Sequence, residues 1–152
     1  MPTGVLGVMS DDGVGTISTD ELFGGKKVVL VSVPGAFTQT CSSKHLPGFL
    51  ALADEFTSKG VDTVAFTAVN DLSVMHAWGE HQRANSKILM LADGNGEYAE
   101  ALGIAYDASP FGMGTRGLRA AYIVEDGTVT HVAIEAPGQF EISTAEAILA
   151  AI

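Results

Sequence analysis

The run Lys26-Lys27-Val28-Val29-Leu30-Val31-Ser32-Val33, followed at once by Pro34-Gly35-Ala36-Phe37-Thr38-Gln39-Thr40-Cys41, decides the fold class. A strand with one wet face alternates apolar and polar residues, whereas a run that is apolar throughout is buried on both faces, as in a sheet covered by helices. Pro34-Gly35 then ends the strand. Beyond the loop, the stretch from Cys41 to Lys59 sets Leu46, Phe49, Leu50, Ala53 and Phe56 at helical spacing, and Gly60 closes it. Pro47 falls inside this stretch, so either the helix is kinked there or its first turn is separate.

Working outward, Val61 to Val69 is a second β-branched run, and Asn70-Asp71 offers an N-cap for a helix from Leu72 to about Ala84. Lys87 to Leu91 reads as a third strand closed by the turn Asp93-Gly94-Asn95-Gly96. Glu97 to Leu102 is a short helix ended by Gly103. Ala120 to Val124 and Val129 to Ile134 flank Asp126-Gly127, a strong hairpin signal. Ser143-Thr144-Ala145-Glu146 has the form of a capping box opening a last helix, Thr144 to Ile152. The order β-α-β-α-β-α, then hairpin and helix, predicts an α/β fold: a central mixed β-sheet flanked by helices. No repeat, low-complexity tract or linker interrupts residues 1–152, so a single domain is expected.

Composition narrows the function. The chain has 152 residues, a net charge of −10, 47% hydrophobic residues and one cysteine. A domain of ~150 residues buries roughly 70% of its unfolded surface and needs no disulfide or metal staple. A lone cysteine forms no internal disulfide, and an unpaired thiol points to a reducing compartment, so a cytoplasmic protein or a mature organellar form is expected. The acidic balance disfavours nucleic acid and anionic membranes as partners. No stretch has the length of a membrane span.

The charge is unevenly spread. Between Gly24 and Ala53, and again between Ala108 and Val124, there is no acidic residue, yet these windows hold Lys26, Lys27, Lys44, Arg116 and Arg119. Either this is chance clustering, or it marks an electropositive site within an acidic shell.

Cys41 is the first candidate for that site. It follows a buried strand where a helix begins, and sites of α/β folds form at the carboxyl ends of strands. A helix N-terminus carries roughly half a positive charge, which favours thiolate over thiol. The alternative is an inert buried thiol. Thr38 and Thr40 lie within one turn; for Thr40 a capping role is expected. His45, four residues on, is either an acid–base partner that keeps the site positive or a histidine satisfied by backbone. His76 and His81 are five apart and share no helix face, so no metal site is expected. Asp93-Gly94-Asn95-Gly96-Glu97 opens like a calcium loop, but its twelfth position is Ile104, which leaves a turn. Gly112-Met113-Gly114-Thr115-Arg116-Gly117 matches a dinucleotide fingerprint literally, yet it precedes a strand instead of following one, so no nucleotide cofactor is expected. Met75 and Trp78 fit a core or an interface.

Pro34-x-x-x-Thr38-x-x-Cys41 resembles the active-site signature of the peroxiredoxins, thiol peroxidases on a thioredoxin-like fold. Val33-Pro34-Gly35-Ala36-Phe37-Thr38, Cys41-Ser42 and His45-Leu46-Pro47-Gly48-Phe49 are similar to the peroxiredoxin-5, or plant type II, subfamily. So are Val69-Asn70-Asp71, Val74-Met75 with Ala77-Trp78-Gly79, Leu91-Ala92-Asp93, and Arg119 ahead of Ile123-Val124-Glu125-Asp126-Gly127. The resemblance spans roughly residues 20 to 130 in the order and spacing of the subfamily. It implies that Cys41 is the peroxidatic nucleophile, that Thr38 hydrogen-bonds peroxide and sulfur, that Pro34 shields the thiolate, and that Arg119 holds the thiolate and polarises the O–O bond. Arg116 stays outside this catalytic set. A homodimer is also implied. Two residues depart from the pattern: Gln39 replaces the usual proline, and Ser73 an apolar aromatic on the face used for dimer contact.

With no second cysteine, the resemblance implies a one-cysteine cycle. A hydroperoxide oxidises Cys41 to a sulfenic acid, and an external thiol, from glutathione with glutaredoxin or from thioredoxin, reduces it. Phe37, Phe49 and Phe111 would suit organic hydroperoxides as well as hydrogen peroxide. No cofactor beyond the thiol co-substrate is implied. Two other readings stand beside this one: a redox sensor that signals through Cys41, and a structural α/β protein with an inert thiol.

Overall fold

A computed structural model describes residues 1–152. It opens with a hairpin, β1 (Val5–Ser10) and β2 (Gly13–Ser18), and a short helix α1 (Thr19–Phe23). The decisive run forms β3 (Lys27–Ser32). A π-helical turn (Cys41–His45) leads into α2 (Leu46–Ala51) and α3 (Ala53–Ser58). Next come β4 (Thr63–Ala68), α4 (Leu72–His81), β5 (Leu89–Ala92) and α5 (Glu97–Ala101). A small ribbon of β6 (Ala105–Asp107) and β7 (Thr115–Gly117) precedes the hairpin β8 (Ala120–Glu125) and β9 (Thr128–Ile134), and α6 (Ala145–Ala151) ends the chain. No helix is long and apolar enough to cross a membrane.

Seven strands form one sheet in the order β2-β1-β5-β4-β3-β8-β9. β3, β4 and β5 run parallel, while β8 and β1 flank them antiparallel. Side chains of a strand alternate between faces, and β3 shows both being used. Val29, Val31 and Val33 join Phe49, Phe56, Phe66 and Trp78 under α2, α3, α4 and α6. Val28 and Leu30 join Leu22, Phe23, Leu91 and Tyr98 on the other side. All of β3 from Val28 onward is buried, which is why no polar alternation marks it.

The expected sheet with helices on both faces is present, and its details refine the sequence reading. Pro47 sits in the first turn of α2, where its missing N–H costs nothing, and the residues before it form the separate π-helical turn. Asp71 caps α4 through Val74 N at 3.0 Å. Asp126 and Gly127 both have positive φ, 48° and 76°, as a tight hairpin turn matching strand twist requires. The box on Ser143 does not form. Thr144 is the N-cap of α6, and the Ser143 hydroxyl donates elsewhere. A capping box is present at α1, where Ser18 and Glu21 bond reciprocally.

The β1–β2 hairpin was not expected. It is glycine-rich, and Val5 and Val14 remain exposed on it. Its position comes from the tertiary pairing of β1 with β5.

Candidate active site

Backbone register brings the two acid-free windows together. β8 runs antiparallel to β3 with Ser32 opposite Ala120, so Arg119, just before β8, lies where β3 gives way to the Pro34–Thr40 loop. The windows do not form one cationic patch, however. Lys27 sits at the other end of β3, paired with Glu125 at 2.9 Å, and Lys26 Nζ donates to the Glu21 carbonyl. The cation hydrogen-bonded to the thiol is an arginine, Arg119.

Cys41 is fully buried in the first turn of a helical segment that starts at Gln39. Arg119 Nη2 donates to its Sγ at 3.3 Å. A guanidinium cannot deprotonate and holds its donors in a rigid fork, so one group can stabilise a thiolate and still present an N–H to a bound oxygen. Thr40 makes no side-chain capping bond. Thr38 is placed beside the same turn, where its backbone carbonyl accepts from Ser42 N at 3.0 Å. Its hydroxyl donates to the Gly35 carbonyl at 2.7 Å, not to sulfur, and so presents lone pairs to any other partner.

Three contacts hold the loop. Ala36 N donates to Asn70 Oδ1 at 2.9 Å, Thr38 closes onto Gly35, and Arg116 Nη1 donates to the Pro34 carbonyl at 3.3 Å. Arg116 therefore braces Pro34 and does not contact the thiol. Phe37 takes a left-handed φ of 62°, which a bulky residue rarely adopts, with its ring beside His81. Trp78 Nε1 donates to Ser42 Oγ at 3.0 Å, so this core residue also anchors the Cys41 turn.

His45 is buried among Phe49, Phe66 and Phe140. Its Nε2 lies 2.8 Å from the Ser143 carbonyl, which can only accept, so Nε2 carries the proton and Nδ1 accepts from Arg119 Nη1 at 2.8 Å. Burial pulls its pKa down to about 4, and the Arg119 charge adds to this against the opposing pull of Ser143 and Glu135. Neutral and with both nitrogens engaged, it neither keeps the site positive nor serves as a free acid or base. Its place is to orient Arg119. Between its ordinary pKa of 6.5 and about 4, only the unfolded chain binds a proton here, so stability should fall as pH drops through that window. Denaturant titrations should show wild type losing about 2 kcal/mol more than His45→Gln between pH 7 and 5. Equal losses would show that His45 is not held neutral.

A cavity of about 480 Å³ opens over the site, lined by Pro34, Thr40, Tyr106, Phe111, Arg119 and Phe140 among others. Phe111 is on its wall and largely exposed. Phe49 lies in the core beneath His45 and does not line it. His76 pairs with Glu80 at 3.4 Å, and the Gly112–Gly117 segment forms a turn and β7. Asp93 accepts from Tyr98 N and Ala99 N at the start of α5.

One residue escaped the sequence reading. Glu135, just after β9, is 4% exposed and lines the cavity. The only hint in the sequence is an acid directly after an apolar strand and before Pro137-Gly138.

A mixed sheet with helices on both faces, carrying an arginine-bound cysteine after a parallel strand, defines a thioredoxin-like thiol protein. The redoxin family matches residues 1–149. Peroxiredoxin-2C of Oryza sativa subsp. japonica is 45% identical over 153 residues, covering all of this chain and 94% of that one. Reduced Prx3 from Vibrio vulnificus, solved with hydrogen peroxide, superposes with a TM-score of 0.95 at 50% identity, covering 99% of this chain and 94% of that one. The Plasmodium falciparum antioxidant protein, described as a 1-Cys peroxiredoxin, gives a TM-score of 0.89 at 30% identity, covering 97% and 94%. The chain belongs to the peroxiredoxins, in the peroxiredoxin-5 or plant type II branch, with a single cysteine. The family's thiol peroxidase activity is accordingly its class of reaction.

Proposed function

We propose that Cys41 is the peroxidatic nucleophile of a one-cysteine cycle. The observation that carries this reading is the 3.3 Å bond to Sγ from Arg119, which also lines the cavity. The thiolate attacks the terminal oxygen of a hydroperoxide. An S–O bond forms as the O–O bond breaks, sulfur loses two electrons, and the leaving oxygen takes a proton to depart as water or alcohol. Arg119 stabilises the charge passing from sulfur to that oxygen, Thr38 accepts from the peroxide O–H, and Pro34 keeps water off the thiolate. No cofactor enters.

An external thiol then attacks the sulfenic acid, giving a mixed disulfide and water, and a second thiol releases Cys41. Full burial of Sγ means that the Cys41 turn must open for this step. The reductant is glutathione with glutaredoxin, or else thioredoxin, and the compartment is the cytoplasm or an organelle. Exposed Phe37 and Phe111 suit a homodimer contact near the cavity, with Ser73 exposed on α4. Peroxide consumption measured with each reductant supplied separately tests the cycle. Multiple turnovers with at least one of these thiols are expected. Slow single-turnover oxidation with all of them would overturn the reading and favour a sensor.

A further inference from the structure

Glu135 is a buried carboxylate with no cation in contact. A single oxygen, Oε1, accepts from the backbone N–H groups of Glu141, Ile142 and Ser143 and from the Ser143 hydroxyl, each at 2.8 Å. Burial alone would raise its pKa, but these bonds together hold it below the ordinary carboxylate value, so it is ionised at neutral pH. Four donors converging on one oxygen fold the 136–143 segment back on itself.

Two groups of that segment reach the Arg119 guanidinium assembly. The Ser143 carbonyl accepts from His45 Nε2, and the Phe140 ring lies 5.6 Å from the guanidinium carbon of Arg119 and 5.0 Å from the His45 ring. The backbone closes the circuit, because Glu135 N donates to the Arg119 carbonyl at 2.9 Å. Starting from Arg119, hydrogen bonds run through its carbonyl to Glu135, through the carboxylate to Ser143, through the Ser143 carbonyl to His45, and back to the guanidinium. Arg119 is the only member of the circuit hydrogen-bonded to sulfur.

We infer that Glu135 is a positioning residue for the peroxidase reaction: by gathering the 141–143 amides it sets Ser143, His45 and Phe140 around Arg119 and so fixes the guanidinium against Cys41. This rests on the reading of Cys41 as the nucleophile. Without the carboxylate the segment loses its anchor, the Ser143 carbonyl leaves His45, and the imidazole no longer holds Nη1. Displacing a reacting group by about 1 Å can lower a rate by roughly 100-fold.

The test is the second-order rate of Cys41 oxidation by hydrogen peroxide, followed by stopped flow, for Glu135→Ala and Glu135→Gln, each in the wild-type and Arg119→Ala backgrounds. Glu135→Ala should slow the wild-type background by roughly 100-fold, and Glu135→Gln, which keeps one acceptor oxygen, by roughly 10-fold. In the Arg119→Ala background both effects should shrink to less than about 2-fold, since the group they position is gone. A simple loss of stability would instead slow both backgrounds equally. Equal losses in the two backgrounds, or wild-type rates in folded variants, overturn the proposal. Should Glu135→Ala fail to fold, the Glu135→Gln pair decides by the same comparison. If wild type itself does not react with peroxide, the nucleophile reading and this proposal fall together; if wild type reacts and the variants match it, only this one falls.

Discussion

Cys41→Ser should reduce peroxide turnover to the uncatalysed background, a loss on the order of 10⁴-fold or more. The substitution changes one atom in a fully buried position, and a serine Oγ can still accept the Arg119 N–H, so the fold and the cavity should persist. What disappears is the chemistry. A serine hydroxyl is not ionised near neutral pH, and an oxygen nucleophile has no counterpart of the sulfenic acid, so it cannot take up the peroxide oxygen and be reduced again. Since no other cysteine exists in the chain, the variant has no thiol at all. Intact-protein mass after one equivalent of peroxide provides the check: wild type should gain one oxygen, and Cys41→Ser none. A serine variant that still turned over peroxide with a thiol reductant would place the activity elsewhere in the molecule.

The parts of this site that could be read in the sequence are those in which local chemistry and tertiary position agree. β3 is apolar because both faces are covered, and its end at Pro34-Gly35 is a local event, so the loop carrying Cys41 was legible. The β8–β9 hairpin was legible because Asp126-Gly127 favours the turn without outside help. The β1–β2 hairpin was hidden because Gly7, Gly13 and Gly15 interrupt it and its place depends on pairing with β5, so that Leu6, Val8 and Ile17, which do face the core, make no clear alternating run. Charge counting misled in one respect: Lys26 and Lys27 share a window with Cys41 but lie a whole strand length away. Ser143 matched a capping box, yet a buried carboxylate eight residues earlier captures its hydroxyl. Glu135 itself was invisible because three of its four partners are backbone amides, and amides carry no signature in side-chain sequence. His45 had two open roles, and only its surroundings decide between them: burial among three aromatic rings removes its charge.

Arg119→Ala should slow attack on hydrogen peroxide by about 10² to 10³-fold while leaving the protein folded. Two losses combine. The thiolate loses the N–H donor at 3.3 Å, and the developing charge on the leaving oxygen loses the cation that would stabilise it. Arg119→Lys separates charge from geometry. An ammonium keeps the positive charge, but its compact head cannot reproduce the planar fork that reaches Cys41 Sγ and His45 Nδ1 together. Lysine should therefore recover part of the rate, leaving a deficit on the order of 10-fold or more. Arg116→Ala is the companion variant. Arg116 contacts the Pro34 and Met113 carbonyls and not the thiol, so its loss should loosen the loop and slow the reaction far less than loss of Arg119. Rates of Cys41 oxidation for the three variants, with circular dichroism to confirm folding, rank these effects directly. If Arg116→Ala proved the slower of the two alanine variants, the arginine serving the sulfur during the reaction would not be the one that touches it at rest.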